Sequence, residues 1–292
     1  MCPIEADWAE TAWNGVALRH PASWEVTRLD RDQLLWSERG RAALEIRWAP
    51  YRGRFDAERA LRRFGQRARR KGLPQPEPWS VPQRWQTSLG QFRLAGFRWR
   101  RSDAQGYGLL AYCPQCRRQN LVQFHPHLFD QPDLMTAVLA SLRDHPRGKE
   151  EILSLFGIRA RLPAGVQLLR FRFETGRYHL HWRNRRHQIG LYRWAPAGIL
   201  LARQPLTGFA AQQFQTVATE LTPWRQGESE GVDGGWTSGF SMPARFSHFR
   251  FRRLLRLWHV GRHNCLLGVE VRGRGKGLSA LVERLCNSYV SF

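Results

Sequence analysis

The sequence predicts an α+β chain of two tandem repeats, each a mainly antiparallel sheet with packed helices, over residues 1–145 and 151–292. Three observations predict it. Four motifs recur in the same order at nearly constant separation. Within each copy, segments of alternating apolar and polar residues read as half-buried strands. Other segments carry apolar residues at helical spacing. A chain of 292 residues suits two domains, each able to bury its own core.

The repeat is most visible where Trp36–Pro50 lines up with Trp182–Pro196, sharing Trp at both ends and a common Arg-Trp-Ala-Pro. Upstream, Gly15–Pro21 matches Gly157–Pro163. Downstream, Leu109–Leu121 matches Leu255–Cys265 loosely, and Leu134–Leu142 matches Leu278–Cys286. Small changes of offset between motifs are what loop insertions produce. Each copy then follows one order. A Gly-x5-Pro opening leads into strands; in copy two Leu169, Phe171 and Phe173 share one face and Arg170, Arg172 and Glu174 the other. The next strand is Leu44–Trp48 or Ile189–Trp194. A helix follows, about Asp56 to Lys71 in copy one, with Ala57, Ala60, Leu61, Phe64 and Ala68 on one face, and Phe209–Leu221 in copy two. A Pro- and Trp-rich stretch comes next, Leu73–Trp85 or Pro223–Trp236. Antiparallel strands are predicted at Phe92–Arg101, Gly108–Tyr112 and Asn120–Phe124, and at Phe246–His259 and Cys265–Val271. Closing helices are predicted at Pro132–Asp144 and Leu278–Tyr289, with His145–Glu151 as the linker and Glu150–Glu151 as a helix start.

Three features resemble the Mog1/PsbP-like α/β family: the Gly15-x5-Pro21-x2-Trp24 opening, the Leu44-x-Ile46-x-Trp48 strand and the final Leu139-x2-Leu142 helix. The resemblance spans nearly all of both copies. It implies a non-enzymatic binding or assembly role and carries over no functional residue.

Net charge narrows the function classes. The chain has 46 basic and 24 acidic residues, a net charge of +22, and only three of the bases are lysines, Lys71, Lys149 and Lys276. A GC-rich genome accounts for arginine over lysine but not for the excess of bases over acids. A field of that size repels itself unless a polyanion or counterions screen it. Arginine adds planar, bidentate phosphate geometry. The N-terminus, Met-Cys-Pro-Ile-Glu-Ala-Asp-Trp, has neither the basic nor the apolar region of a secretory signal, and no apolar run is long enough to span a membrane. A cytoplasmic protein is expected. Five cysteines, an odd number, fit reduced thiols better than a disulfide framework.

Two anion-site candidates follow. The copy-one helix carries Arg59, Arg62, Arg63, Arg67, Arg69, Arg70 and Lys71, of which Arg59, Arg63, Arg67 and Arg70 form a stripe at helical spacing. Like charges at that spacing destabilise an isolated helix, and the copy-two helix has no arginine at all; a merely solvated face is the plain alternative. The second candidate is Val269–Ser279, where a strand runs into a glycine-rich turn bearing Arg272, Arg274 and Lys276 and then into a helix. Its spacing is not that of a Walker A loop, and a flexible turn is the alternative. Its copy-one counterpart, Phe129–Asp133, is acidic. Arginines also alternate on strands, at Arg98 and Arg100, at Arg170 and Arg172, and at Arg250, Arg252 and Arg256.

Cys113-Pro-Gln-Cys116 has the spacing of a zinc knuckle, in which two thiolates share one metal. A site needs two further ligands. His125 and His127 lie at the far end of the returning strand, roughly 20 Å away. His259 and His263 sit at the corresponding hairpin of copy two. A plain turn bearing two thiols is the other reading; beyond a possible zinc, no cofactor is expected. No Gly-x-Ser-x-Gly elbow or His-Glu-x2-His motif occurs, and His179 and His181 read as structural. The sequence thus predicts a non-enzymatic polyanion-binding protein, with RNA or DNA first among its ligands. The alternative is an assembly factor that binds an acidic protein partner.

Overall fold

The structure is a computed structural model that describes residues 7–101, 104–146, 148–226, 229–238, 251–274 and 277–292. The chain divides into two compact units, Met1–Pro146 and Arg147–Phe292.

The first unit opens with an antiparallel hairpin of β1 (Trp8–Trp13) and β2 (Val16–Pro21). Asn14 and Gly15 turn it with φ of 47° and 86°, the left-handed pair that a two-residue hairpin loop needs. Then come β3 (Trp24–Asp30), β4 (Gln33–Glu38), β5 (Arg41–Pro50), α1 (Ala57–Arg70), the short β6 (Glu77–Pro78), α2 (Gln83–Ser88), β7 (Arg93–Arg101), β8 (Ala104–Cys113), β9 (Arg118–Phe124) and α3 (Pro132–Ala140). The strands after the hairpin form one seven-stranded sheet in the order β3-β4-β5-β9-β8-β7-β6, with every pair antiparallel.

Period-two alternation divides this sheet cleanly. Leu44, Ile46 and Trp48 on β5 pair with Phe124, Val122 and Asn120 on β9, and all six are buried. Trp85 of α2 packs on Phe124, its ring 5.7 Å away. The intervening residues, Glu45, Arg47, Gln119, Leu121 and Gln123, point to the opposite face. There α1 covers only part of the sheet: Ala60 and Phe64 pack over Phe97, Ala95 and Leu110 of β7 and β8. The β5–β9 half of that face stays open beside the helix.

The second unit contains β10 (Glu150–Leu155), β11 (Ile158–Pro163), β12 (Gln167–Glu174), β13 (Arg177–Arg183), β14 (His187–Trp194), α4 (Ala197–Leu201), α5 (Leu206–Phe214), β15 (Leu221–Gln226), β16 (Ser229–Ser238), β17 (Phe251–Val260), β18 (Cys265–Gly273), α6 (Leu278–Ser288) and β19 (Val290–Ser291). β10 and β11 form a hairpin extended by β19. The large sheet runs β12-β13-β14-β18-β17-β16-β15, strand for strand the order of the first unit. α6 packs on β17 and β18. On the other face Phe209 and Phe214 of α5 meet Trp194 and Tyr192 edge-on, at centroid distances of 5.1 to 5.8 Å.

Four predicted elements differ. The helix expected over Phe209–Leu221 spans Leu206–Phe214 and stops where Gln215 takes a left-handed φ of 52°. Of the stretch Pro223–Trp236, residues 223–226 lie in β15 and residues 229–236 in β16, with 227 and 228 outside the described residues. Two of its glycines are covered by tryptophans: a Cβ at Gly231 would collide with Trp224, and one at Gly234 with Trp236. Glu150 and Glu151 begin a strand rather than a helix, in register with Pro163 and Leu162. The first closing helix ends at Ala140, and Arg143 bridges back to Ala17.

Candidate polyanion-binding cleft

The open half of the first sheet and the flank of α1 enclose a cleft of about 1240 Å³. Its floor is β5 and β9, with Leu121, Gln119, Gln123 and His125 beside Ala49; its helix wall is Ala60, Phe64 and Ala68; Trp99 and Tyr51 supply aromatic surface. Five cations line it, Arg47, Arg52, Arg63, Arg67 and Lys71, against two carboxylates, Asp32 and Glu45. Glu45 is already engaged: its Oε1 accepts from Arg47 and from Gln33 at 2.6 Å each. Arg52, Arg63, Arg67 and Lys71 are exposed, and no ion pair holds them among the described residues.

α1 places these cations for plain reasons. Asp56 caps its N-terminus, accepting from the Arg59 backbone N–H at 2.7 Å. Ala57, Ala60, Leu61, Phe64 and Ala68 face the sheet, as their spacing requires. Arg67, Arg69 and Arg70 fall in the last turn, where the helix dipole favours positive charge and offsets part of their mutual repulsion. The predicted stripe divides. Arg63 and Arg67 line the cleft, joined by Lys71, whereas Arg59 and Arg70 are exposed outside it.

Two ring nitrogens among the cleft residues, Trp99 Nε1 and His125 Nε2, are buried and lack a hydrogen-bond partner among the described residues. The Trp99 indole lies flat over Gly106, where a Cβ would collide with it. Burial pushes His125 below the ordinary imidazole range, Glu45 opposing and His127 adding to the effect. The ring is therefore neutral near pH 7 and offers one donor and one acceptor.

The second predicted anion site is arranged differently. The strand and the helix are present, with β18 ending at Gly273 and α6 starting at Leu278. Arg272, however, points back to Glu270, donating from Nε and Nη2 at 3.0 and 2.8 Å. Arg274 is exposed, and Lys276 lies outside the described residues. Glu270 is buried, and it also accepts from Arg253 and, at 2.8 Å, from the Tyr192 hydroxyl. Burial alone would raise its carboxyl; the two guanidinium groups and the phenol outweigh that and hold it below the usual carboxylate range. This is an internal ion cluster, and it draws Arg272 away from the turn.

Several strand arginines are likewise neutralised locally. Arg98 pairs with Glu77, Arg172 with Glu174, and Arg256 with both oxygens of Asp233. Arg100 and Arg170 are exposed, Arg252 is half-buried, and Arg250 lies outside the described residues.

The Cys113-x2-Cys116 turn joins β8 to β9, as predicted, but the histidines beside it in sequence are elsewhere: His125 lines the cleft, and His127 faces Glu38 at 3.8 Å. His259 faces Glu230, and His263 bonds to Ser291. The groups that meet the thiols are Asp144 and His145, which follow the first closing helix. Cys116 Sγ lies 3.2 Å from Asp144 Oδ2, Cys113 Sγ lies 3.7 Å from His145 Nδ1, and that nitrogen is 2.7 Å from Asp144 Oδ1. Burial and the Asp144 carboxylate push the Cys116 thiol up to about 12. No sequence spacing marks Asp144 or His145. They arrive because the chain returns along β2 after α3.

No protein-family model and no curated protein matches the chain. Among solved structures, the apo immunity protein TplEi of T6SS from Pseudomonas aeruginosa is similar at 11% identity, covering 97% of each chain, with a TM-score of 0.34. The same protein complexed with "L" peptide gives 10% identity, 97% and 98% coverage and a TM-score of 0.30. Among the described residues no helix is long and apolar enough to cross a membrane.

Proposed function

We propose that the first unit is a non-enzymatic polyanion-binding module whose ligand is RNA or DNA, held in the cleft between α1 and the β5–β9 face. The carrying observation is the convergence of Arg52, Arg63, Arg67 and Lys71, none held in an ion pair among the described residues, around one cavity with aromatic walls. Cations at the rim meet phosphates, and Tyr51, Trp99 and His125 offer ring surfaces for an unpaired base. A cleft of this form suits a single strand better than a rigid duplex, whose bases are stacked inside. The neutralised Arg272 has no part in this reading, and of the predicted stripe Arg63 and Arg67 are the contact residues.

The test is a salt titration of binding to short single-stranded RNA and DNA, with the Arg63→Glu/Arg67→Glu variant alongside. Each neutralised phosphate contributes about 0.7 to the log–log salt slope of a single strand, so the variant should bind more than tenfold more weakly with a slope shallower by about 1.5. Absence of retention of any nucleic acid at about 50 mM salt would refute the reading. One observation favours a second ligand class. Leu73, 54% exposed, adds an apolar anchor at the cleft beside Pro74 and Pro76, which suits an acidic peptide with an apolar side chain. A pull-down repeated after nuclease treatment separates the two, since only a protein partner survives it.

A further inference from the structure

We infer that Cys113, Cys116, Asp144 and His145 form a structural zinc(II) site that ties the β8–β9 turn to the chain following α3. Their four ligand atoms lie within 4.8 Å of one another. A tetrahedral ion with Zn–S near 2.3 Å and Zn–N or Zn–O near 2.0 Å separates its ligands by about 3.3–3.8 Å. The observed separations of 3.2 and 3.7 Å between Cys116 and Asp144 and between Cys113 and His145 need little adjustment. The donor set is the borderline-soft mixture zinc takes, two sulfurs, one imidazole and one carboxylate, and four protein ligands leave no open position for catalysis.

The surroundings fit an ion as well. Asp144 and Cys113 are 1% and 2% exposed. Asn120, wholly buried, donates from Nδ2 to Asp144 Oδ2 at 3.2 Å, the outer-shell support that fixes a ligating carboxylate. Arg118 donates to the Asp144 carbonyl at 3.0 Å. Two thiolates and a carboxylate around Zn²⁺ leave one negative charge, which that guanidinium faces. Binding releases the two thiol protons to solvent, with no change of oxidation state. Among the described residues, the corresponding corner of the second unit brings Cys265 and His263 to Ser291, with one thiol and no such donor set.

The site is independent of the cleft, and its test does not depend on nucleic acid. Purified protein, incubated with zinc and desalted, should retain one equivalent by elemental analysis. Cobalt(II) in place of zinc should give thiolate-to-metal charge transfer in the near ultraviolet and the visible bands of a tetrahedral site. Cys113→Ser/Cys116→Ser should lose both the metal and the charge-transfer band. Should that variant fail to fold, His145→Ala serves, because this ring sits at the edge of the site, 25% exposed. It should weaken zinc retention at least about tenfold while the protein remains folded. Wild-type protein that retains no zinc after desalting, or variants that retain it fully, would overturn the assignment.

Discussion

At the scale of single residues, charge is handled in two opposite ways in this chain. Glu270 is buried, with Arg253, Arg272 and the Tyr192 hydroxyl all directed at it. Removing the carboxylate leaves two guanidinium groups facing each other in a partly dry environment. Glu270→Ala should therefore lower stability by about 3 kcal/mol, read as a shift in urea midpoint at unchanged m-value. The pair Arg62–Glu58 on α1 is the contrast: 3.4 Å long, both side chains in water. Glu58→Ala should leave the midpoint where it was, because solvent already screens that pair. Equal losses from the two substitutions would show that the Glu270 cluster is not the desolvated network its geometry describes. Arg63 and Arg67 belong to neither case. They are exposed, and one of the two carboxylates lining the cleft, Glu45, is engaged by Arg47.

At the scale of elements, β13 shows how a strand face stores a pH dependence. His179 and His181 share one face, while Leu180 and Trp182 are buried on the other. His179 lies against Tyr192 and Trp194 and accepts from Arg177 Nε at 2.8 Å, so its ring is neutral. Burial first, then Arg177 and the neighbouring cations, lower it from 6.5 to about 4. The unfolded chain takes up a proton below pH 6.5 that the folded chain refuses until about 4. Stability is thus complete above that window and falls as the pH drops through it. His20, His125, His181 and His187 are lowered in the same direction. The urea midpoint should fall between about pH 7 and about pH 5, and His179→Gln should shrink that fall; an unchanged difference would remove His179 from the linkage. Elements of this kind were unevenly legible in the sequence. α1 emerged within one residue at each end, because its apolar spacing, Asp56 cap and basic last turn agree. The strands β15 and β16 were hidden, because their glycines are covered by tryptophans, Gly231 by Trp224 across the strand pair and Gly234 by Trp236 two residues on, which leaves no apolar alternation along the chain. The thiol turn was legible as half a site. Its other half, Asp144 and His145, depends on where α3 ends and on the Ala17–Arg143 bridge, which are properties of the tertiary fold alone.

At the scale of the whole molecule, a net charge of +22 opposes the compact state. The unfolded chain carries the same charge in a larger volume, so its self-repulsion is weaker, and folding works against the difference. Salt shortens the reach of that repulsion, to about 8 Å at physiological ionic strength. The thermal midpoint should therefore rise between about 10 and 150 mM sodium chloride, the reverse of a fold held together by surface ion pairs. Screening and binding separate at matched ionic strength. A polyanion that occupies the cleft at free concentration c stabilises the folded chain by RT ln(1 + c/Kd), about 2.7 kcal/mol at a hundredfold excess over Kd. For a chain of this size that is a further rise on the order of 5–10 °C. Short-chain polyphosphate should therefore raise the midpoint beyond what sodium chloride does at equal ionic strength. Arg63→Glu/Arg67→Glu should keep the sodium chloride effect and lose the polyphosphate increment, since the substitutions remove the cleft's cations while most of the net charge remains. Equal effects of the two salts on the wild-type chain would mean that its charge is only screened and nowhere gathered into a site.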